Sequence, residues 1–331
     1  EQSGKWQTAG ESPLMAALGN KSVTEEKALH IDAVYACVQL YARTLAALPL
    51  MVYKMTDKGK ERATDHYLYR LLHDEPNPNM TGYVFREIME ASLKLWGNAY
   101  AWIEYDEHWR AKYLWPLPPD SVFPQRSLKT SELFYDVMMF DGSRRVCRSY
   151  EILHIPGLGF DGIKGRSPIR QTAETMGLSL SIKSYGNKFF ENGARPSGIL
   201  EHPGNLSEPA QERLINKFDK RYSGIENSAK TMLLEEGMKY VQVGIPPEEA
   251  QFLESRKYSV TEIARIYGVS PHMIGDLDRA TFSNIESQDI NFAKHTIMPE
   301  CVRWEKELMK KLLTAEERQQ YEIEFLMDGL V

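Results

Sequence analysis

The feature that most constrains this chain is an apolar series recurring at helical spacing through Ile169, Ala173, Met176, Leu180, Ile182, Tyr185 and Phe189. Ser167 supplies an N-cap for it, and Pro168 fills a first helical position that needs no amide donor. Asn192-Gly193 supplies the stop. The spacing predicts a helix over 167–193, about 26 residues and roughly 39 Å long at 1.5 Å per residue. A second helical segment opens at Pro246-Pro247 and ends near Gly268. Between the two lies a short insert. Its predicted elements are a strand Ser197–Glu201, a helix Ser207–Tyr222, and strands near Met232–Glu235 and Tyr240–Val243. Two long helices around so small an insert carry more apolar surface than one subunit can cover.

The flanking stretches are of a different kind. Residues 1–21 are polar and aperiodic and read as a loose arm. Ser22-Val23-Thr24-Glu25 has capping-box spacing, and a helix is predicted from there to Leu48 with Ile31, Val34, Tyr35, Val38, Tyr41 and Leu45 on its apolar face. Pro49 stops it. A strand Leu50–Tyr53, a short helix Tyr67–His73 and a helix from Thr81 to about Trp96 come next, the last with Phe85, Ile88, Met89 and Leu93 on one side. Strand-like runs at Ala99–Tyr105, Tyr113–Trp115, Phe134–Val137 and Glu151–Ile155, with a hairpin turn at Asp141-Gly142, complete an α+β unit. After the insert, a helix from Ser283 to Leu313 is predicted to kink at Pro299, which lacks an amide donor.

Composition excludes several classes. A formal charge of −6 is not the basic footprint of a protein that coats nucleic acid. Cys37, Cys147 and Cys301 form no CxxC or CxxxC pair, so neither a zinc site nor a redox motif is expected. Cys37 and Cys301 fall among apolar residues and read as buried thiols, as in a reducing cytoplasm. The longest apolar run, Leu45–Val52, is far shorter than the ~20 residues that cross a bilayer. No secretory leader is visible, and a start at Glu1 suggests a trimmed or processed chain.

Two motifs suggest binding functions. Gly157-Leu158-Gly159-Phe160-Asp161-Gly162 is a literal GxGxxG after a strand. A dinucleotide site needs the third glycine inside a starting helix, whereas here the helix start falls at Ser167-Pro168; a turn-rich loop is the better reading. The stretch 261–274 matches a helix-turn-helix, with Ala264 for close approach, Gly268 for the turn and Ile274 to pack the second helix. Gly275 breaks that helix early, and Asp276 and Asp278 would face phosphates, so two packed helices are preferred over a groove reader. The eight histidines make no HxH, HExxH or HxxxH cluster, and no Walker loop or GxSxG is present. No catalysis, cofactor or metal is expected.

A third reading spans nearly the whole chain. Ala33–Val38, Leu68–Pro78, Trp96–Tyr100, Leu114–Pro119, Phe190–Gly198, Glu235–Met238, Gln251–Lys257 and Ala280–Glu286, in that order over about 290 residues, resemble portal proteins of long-tailed siphophages. The resemblance implies an α+β portal-type fold built as a closed ring of about twelve copies around a DNA channel. It implies a wing over 22–166, stem helices at 167–193 and within 246–274, a clip over 194–245, a tunnel loop at 275–282, and a kinked wing helix at 283–313. Residues 314–331 would be a terminal strand region where a crown normally begins, so the crown is expected to be missing or reduced. Tunnel-loop residues would be Asp276, Leu277, Asp278, Arg279, Ala280 and Thr281. Clip residues facing a packaging motor would be Arg213, Lys217, Lys220 and Arg221, with Leu214, Ile215 and Phe218 used for the clip's own packing. Implied partners are the terminase large subunit, the major capsid protein and scaffold, a head-completion adaptor, and double-stranded DNA passing weakly and without sequence choice. The implied location is the virion's portal vertex, after assembly in host cytoplasm. A channel subunit is thus preferred over a helix-turn-helix regulator and over a dinucleotide enzyme.

Charge agrees with a passage. Residues 164–195 hold six cations against two carboxylates, and 244–289 hold four cations against eight carboxylates, so neighbouring struts could pair across a ring. A protein neutralising about 6–10 phosphates grips DNA too firmly for sliding, which a mixed, net-acidic lining avoids.

Overall fold

The computed structural model of the chain describes residues 23–139, 141–191, 198–222, 233–234, 236–242, 249–277 and 282–327. Two compact units emerge, one from residues up to 176 together with those from 261 onward, the other from 177–260.

In the first unit the expected helix from 22 to 48 is two helices. Thr24 caps α1 (Glu25–Ala28) by accepting the Lys27 amide; the chain then turns, and α2 (Asp32–Ala47) starts afresh after an extended Ile31. The turn lets Glu25 face inward to meet Arg170 at 2.8 Å. Val34, Cys37, Val38, Tyr41 and Leu45 form the buried stripe of α2, but Tyr35, expected on it, is half exposed. Pro49 ends α2 by forcing Leu48 into an extended conformation.

Strand β1 (Leu50–Thr56) pairs antiparallel with β2 (Gly59–Arg62) and with the final strand of the described chain, so a far C-terminal segment closes on the N-terminal one. One turn at Tyr67–Tyr69 widens into a π turn, Arg70–Asp74, and leads to α3 (Gly82–Trp96). Thr81 caps α3, and Gly97 ends it in the left-handed region, where a side chain would also strike the Arg166 carbonyl. Phe85, Met89 and Leu93 are buried along α3; Ile88, predicted beside them, is 40% exposed. Arg86 is buried and donates to the carbonyls of Ala46 and Leu72, satisfying two helix ends with one guanidinium.

Two three-stranded antiparallel sheets come next along the chain. β3 (Asn98–Tyr105) lies between β4 (Ala111–Leu117) and the later β8 (Ile152–Pro156); β6 (Leu133–Met138) lies between β5 (Val122–Arg126) and β7 (Arg144–Arg148). Tyr100, Leu117, Val122, Tyr135, Val137, Cys147 and Ile152 form a shared core. The turn before β7 has Gly142 left-handed and Asp141 accepting the Ser143 amide, as the Asp-Gly pair predicts.

The long helix predicted from 167 is interrupted. Ser167 accepts the Arg170 amide and Pro168 opens α4 (Pro168–Gln171), as expected. Thr172 then leaves helical geometry, its hydroxyl bonded back to the Pro168 carbonyl, before α5 (Ala173–Glu191) resumes. The stop at Asn192-Gly193 lies outside the described residues, as does the arm at 1–21.

The second unit holds β9 (Gly198–Glu201), α6 (Glu208–Tyr222) and β10 (Lys239–Gln242), with β9 and β10 antiparallel. The ring of Phe218 stacks on Tyr240 at 5.9 Å and fixes α6 to that ribbon. Of the strand expected at Met232–Glu235, only Leu233 and Leu234 are described, and neither is in a strand. The return helix is α7 (Glu249–Tyr267), and the Ser179 hydroxyl on α5 hydrogen-bonds the Ser259 hydroxyl on α7. The chain therefore enters and leaves the β9–α6–β10 insert through two helices lying side by side.

Helix α8 (Phe282–Asn291) passes through a π turn, Phe292–Ile297, into α9 (Met298–Leu312), and β11 (Tyr321–Phe325) then joins β1. The break expected at Pro299 is spread over the preceding turn. Pro299 offers no N–H to the carbonyl four residues back, and the helix widens there instead of ending. Trp304 and Leu308 on α9 are fully buried.

Candidate channel-lining and docking elements

The candidate tunnel loop grows from the last turn of α7. Ile263 and Ala264 are fully buried there, and Tyr267 nearly so. The Tyr41 hydroxyl donates to the Tyr267 carbonyl, and Tyr41 meets Phe292 edge-on at 6.0 Å. Gly268 is left-handed, and its carbonyl accepts the Thr296 hydroxyl at 3.1 Å. The base of the loop is thus tied to α2 and to the π turn at once.

The segment after Gly268 is not the second helix of a helix-turn-helix. Pro271–Ile274 make a single 3-10 turn, closed by a left-handed Gly275. Four residues cannot lay a recognition helix along a major groove. His272 Nε2 instead lies 3.1 Å from Asp289 Oδ1, holding this turn against α8. The Asp276 amide donates to the Pro271 carbonyl, and Leu277 is 64% exposed. Asp278, Arg279, Ala280 and Thr281 lie outside the described residues. Ser283, expected as the cap of the next helix, sits inside its first turn, because α8 begins at Phe282.

In the candidate docking insert, α6 turns Leu214 and Phe218 toward partial burial, whereas Ile215 is 54% exposed. Ile215 therefore joins the outward surface instead of the packing face; it stands one residue off the i, i+4 pair that faces the ribbon. Arg213, Lys217 and Lys220 are exposed, and the Arg213 side chain also reaches the Pro209 carbonyl. Arg221 continues the row along α6, its side chain outside the described surface.

Charges on the two struts are partly used within the chain. Arg170 pairs with Glu25, and Arg265 with Glu262 at 2.6 Å. These two cations are less available for pairing with a neighbour than their number alone implies.

Two buried polar groupings escaped the sequence pattern. His154 sits between the Tyr135 hydroxyl and the Asn98 side-chain oxygen, each at 3.1 Å, and burial holds its pKa down at about 3. Lys94 lies 2.7 Å from Glu300 and 3.3 Å from the fully buried Glu90, whose other oxygen accepts the Trp304 indole N–H. Burial pushes the Glu90 carboxyl up. A strand histidine and an i, i+4 Glu–Lys pair are common on surfaces, so their burial had no signature in one sequence.

The model of the phage portal protein family matches residues 32–331. The portal protein of Enterobacteria phage HK97 is 31% identical over 318 residues, covering 95% of this chain and 74% of its own. A probable portal protein of Streptomyces phage phiC31 is 34% identical over 308 residues, covering 86% of this chain and 64% of its own, so the chain spans less than two thirds of that relative. Among solved structures, an HK97 family phage portal protein from Corynebacterium diphtheriae superposes with a TM-score of 0.68 at 17% identity, covering 93% of this chain and 96% of its own. A chain from the neck of an empty gene transfer agent particle computed with C6 symmetry gives 0.65 at 23%, covering 96% and 89%. The α+β architecture is the portal fold, and the chain belongs to the phage portal protein family.

Proposed function

We propose that this chain is one subunit of a ring-shaped channel at a capsid vertex, through which double-stranded viral DNA is packed, held and released. The observation that carries the reading is the family match across 32–331. The side-by-side α5 and α7, bridged by Ser179 and Ser259, support assigning them as stem helices, with the β9–α6–β10 insert as the clip. Residues 22–166, with much of the helix at 283–313, take the role of the wing, and the loop at 275–282 is the tunnel loop. About twelve copies, the number the resemblance implies, close the ring, each subunit offering two different complementary surfaces to its neighbours. The clip meets the terminase large subunit and later a head-completion adaptor, and the wing meets capsid protein and scaffold. The chain performs no catalysis; ATP hydrolysis belongs to the motor. DNA touches the lining weakly and without sequence choice, in keeping with the −6 charge and the single 3-10 turn at 271–274.

Negative-stain images of the purified protein, alone and coexpressed with capsid and scaffold proteins, test this. Rings with a central hole are the expected result. A chain that stays monomeric in every mixture, or one that binds a defined DNA site at nanomolar concentration, overturns the reading.

A further inference from the structure

The GxGxxG stretch, read from the sequence as a turn-rich loop, is closely constrained. It leaves edge strand β8 at Pro156, whose carbonyl accepts from Arg303 at 2.9 Å. The Gly157 amide donates to the Gly97 carbonyl, and the Arg166 amide to the Leu158 carbonyl. Asp161 accepts the amides of Ile163 and Lys164 at 2.8 and 2.9 Å, and Asn98 grips both the N–H and the carbonyl of Gly165. A Cβ at Gly159 would lie 2.2 Å from the Lys164 carbonyl oxygen, and one at Gly165 2.0 Å from that of Gly97. Backbone so closely folded on itself holds one shape.

That fixed loop presents apolar side chains to solvent. Leu158 is 76% exposed and Phe160 79%, with the Arg166 guanidinium over the Phe160 ring at 5.2 Å. A large aromatic and a leucine held outward by a rigid scaffold have the form of an interface anchor.

The same unit also carries an apolar recess. Met80, Ile88, Trp115, Pro116 and Leu117 line a groove of about 510 Å³, and Ile88 and Val84 stand exposed on α3 beside it. That volume is in the range of small-molecule sites and admits two side chains. Its position is informative. Trp115, Pro116 and Leu117 end strand β4, one edge of the β4–β3–β8 sheet; the Gly157–Gly165 loop leaves β8, the other edge. Both lie at the same end of the sheet, since Leu117 pairs with Tyr100 and Pro156 with Asn98.

A projection at one sheet edge and a recess at the opposite edge are what a head-to-tail cyclic assembly needs, because each copy must give one surface and receive the other. We infer that Leu158 and Phe160 of one subunit seat in the Ile88–Trp115–Leu117 groove of the next copy around the ring. The inference rests on the ring reading above and names the contact through which adjacent wings lock.

The test uses full-length chains coexpressed with scaffold and capsid proteins. Phe160→Cys chains are mixed with Ile88→Cys chains and oxidised. The three native cysteines are buried, so background linkage is low. Disulfide-linked dimers formed only from the mixture are expected, and only in the ring fraction. Separately, Phe160→Asp is expected to cut ring yield at least tenfold while leaving the melting temperature of the monomer unchanged. Ile88→Asp has the same effect, and Phe160→Glu with Ile88→Lys recovers rings. Wild-type rings that form while Phe160→Asp rings form equally well, without crosslinks, overturn this contact and leave the ring reading standing. Normal rings that fail to enter heads also overturn it, since the loop then serves a capsid partner. Absence of wild-type rings in every mixture removes the ring reading itself.

Discussion

His154 Nε2 donates to the Asn98 side-chain oxygen across 3.1 Å, and the direction of that bond is fixed by the groups around it. Asn98 gives its own N–H groups to the carbonyls of Trp96 and Gly165 and receives the Gly165 amide, so its oxygen only accepts. His154 must therefore carry its proton on Nε2, leaving Nδ1 to accept the Tyr135 hydroxyl. The network ties strands β3, β6 and β8 to the glycine loop with the imidazole neutral.

Stability should consequently depend on pH below neutrality. Burial, with Lys311, Lys164 and Lys310 adding to it, lowers the folded pKa of His154 to about 3. The unfolded chain takes up that proton near the ordinary value of about 6.5. The contribution is complete above about 6.5 and shrinks as pH falls, by at most about 1.4 kcal/mol per unit down to about 3. Urea titrations from pH 7 to 4 should show this slope. His154→Gln should be less stable at pH 7 by about 2 kcal/mol and lose most of the dependence. An unchanged slope in the variant would assign the effect to other groups.

Arg86 offers a second check. Its guanidinium meets the Ala46 carbonyl through two nitrogens and the Leu72 carbonyl through a third, with no carboxylate bonded to it among the described residues. Arg86→Met should cost about 3 kcal/mol, since it leaves helix-end carbonyls buried without donors. Arg86→Lys should recover little, because one ammonium on a flexible stem cannot reproduce the planar fork. Thermal unfolding of the two variants separates these outcomes; full recovery with lysine would mean that charge alone suffices.

Lys94 is one cation shared between two carboxylates, those of Glu90 and Glu300. Lys94→Met should destabilise by about 3–5 kcal/mol, as removing one member of a buried set strands the others. Adding Glu300→Gln should return a substantial part of that loss, because the remaining repulsion toward Glu90 disappears. A double-mutant cycle with strictly additive losses would show that the three groups are not coupled.

The sequence made the fold legible wherever periodicity coincided with burial. The Val34–Leu45 stripe, the Ser167-Pro168 start and the Asp141-Gly142 turn read directly from local chemistry. Misreadings share a cause. Tyr35, Ile88 and Ile215 are apolar residues at or beside helical spacing that face outward, and spacing alone does not mark where a stripe ends. The break at Thr172 follows a turn held from outside, with the Ser167 hydroxyl donating to the Leu95 carbonyl on α3 and Arg170 paired with Glu25 on α1, contacts no local window contains. The glycine loop was legible as a turn but not as a rigid projection, since its bonds reach back about sixty residues to Gly97 and Asn98.

The clip's proposed docking face is open to charge reversal. Arg213, Lys217, Lys220 and Arg221 lie along one row of α6, and exposed Ile215 adds apolar surface near them. Lys217→Glu with Arg221→Glu should reduce DNA packaging at least tenfold and leave ring formation intact. Ile215→Asp should act in the same direction. Packaging at wild-type levels in both variants would move the motor contact to another part of the insert.

The loop between Gly275 and Phe282 sets the final prediction. Its upstream side is fastened by three contacts, those of Gly268 with Thr296, Tyr267 with Tyr41, and His272 with Asp289. Its downstream side enters α8 directly at Phe282. In the proposed channel these upstream contacts would hold the base of the loop in place as a duplex passes. Arg279 is its one cation, between Asp278 and Ala280, and Asp276 lies two residues before Asp278. That arrangement suits brief phosphate contact and then release, because each extra neutralised phosphate would steepen the grip. Deleting Asp278–Ala280 should leave the melting temperature and ring yield unchanged, since the fastening residues all remain. Particles should then fill but leak, holding a smaller fraction of full-length genomes after packaging stops. Arg279→Ala should weaken retention less, and Asp276→Lys with Asp278→Lys should slow packaging by increasing the grip. Full retention in the deletion, measured as nuclease-protected genome length, would place the constriction elsewhere in the ring.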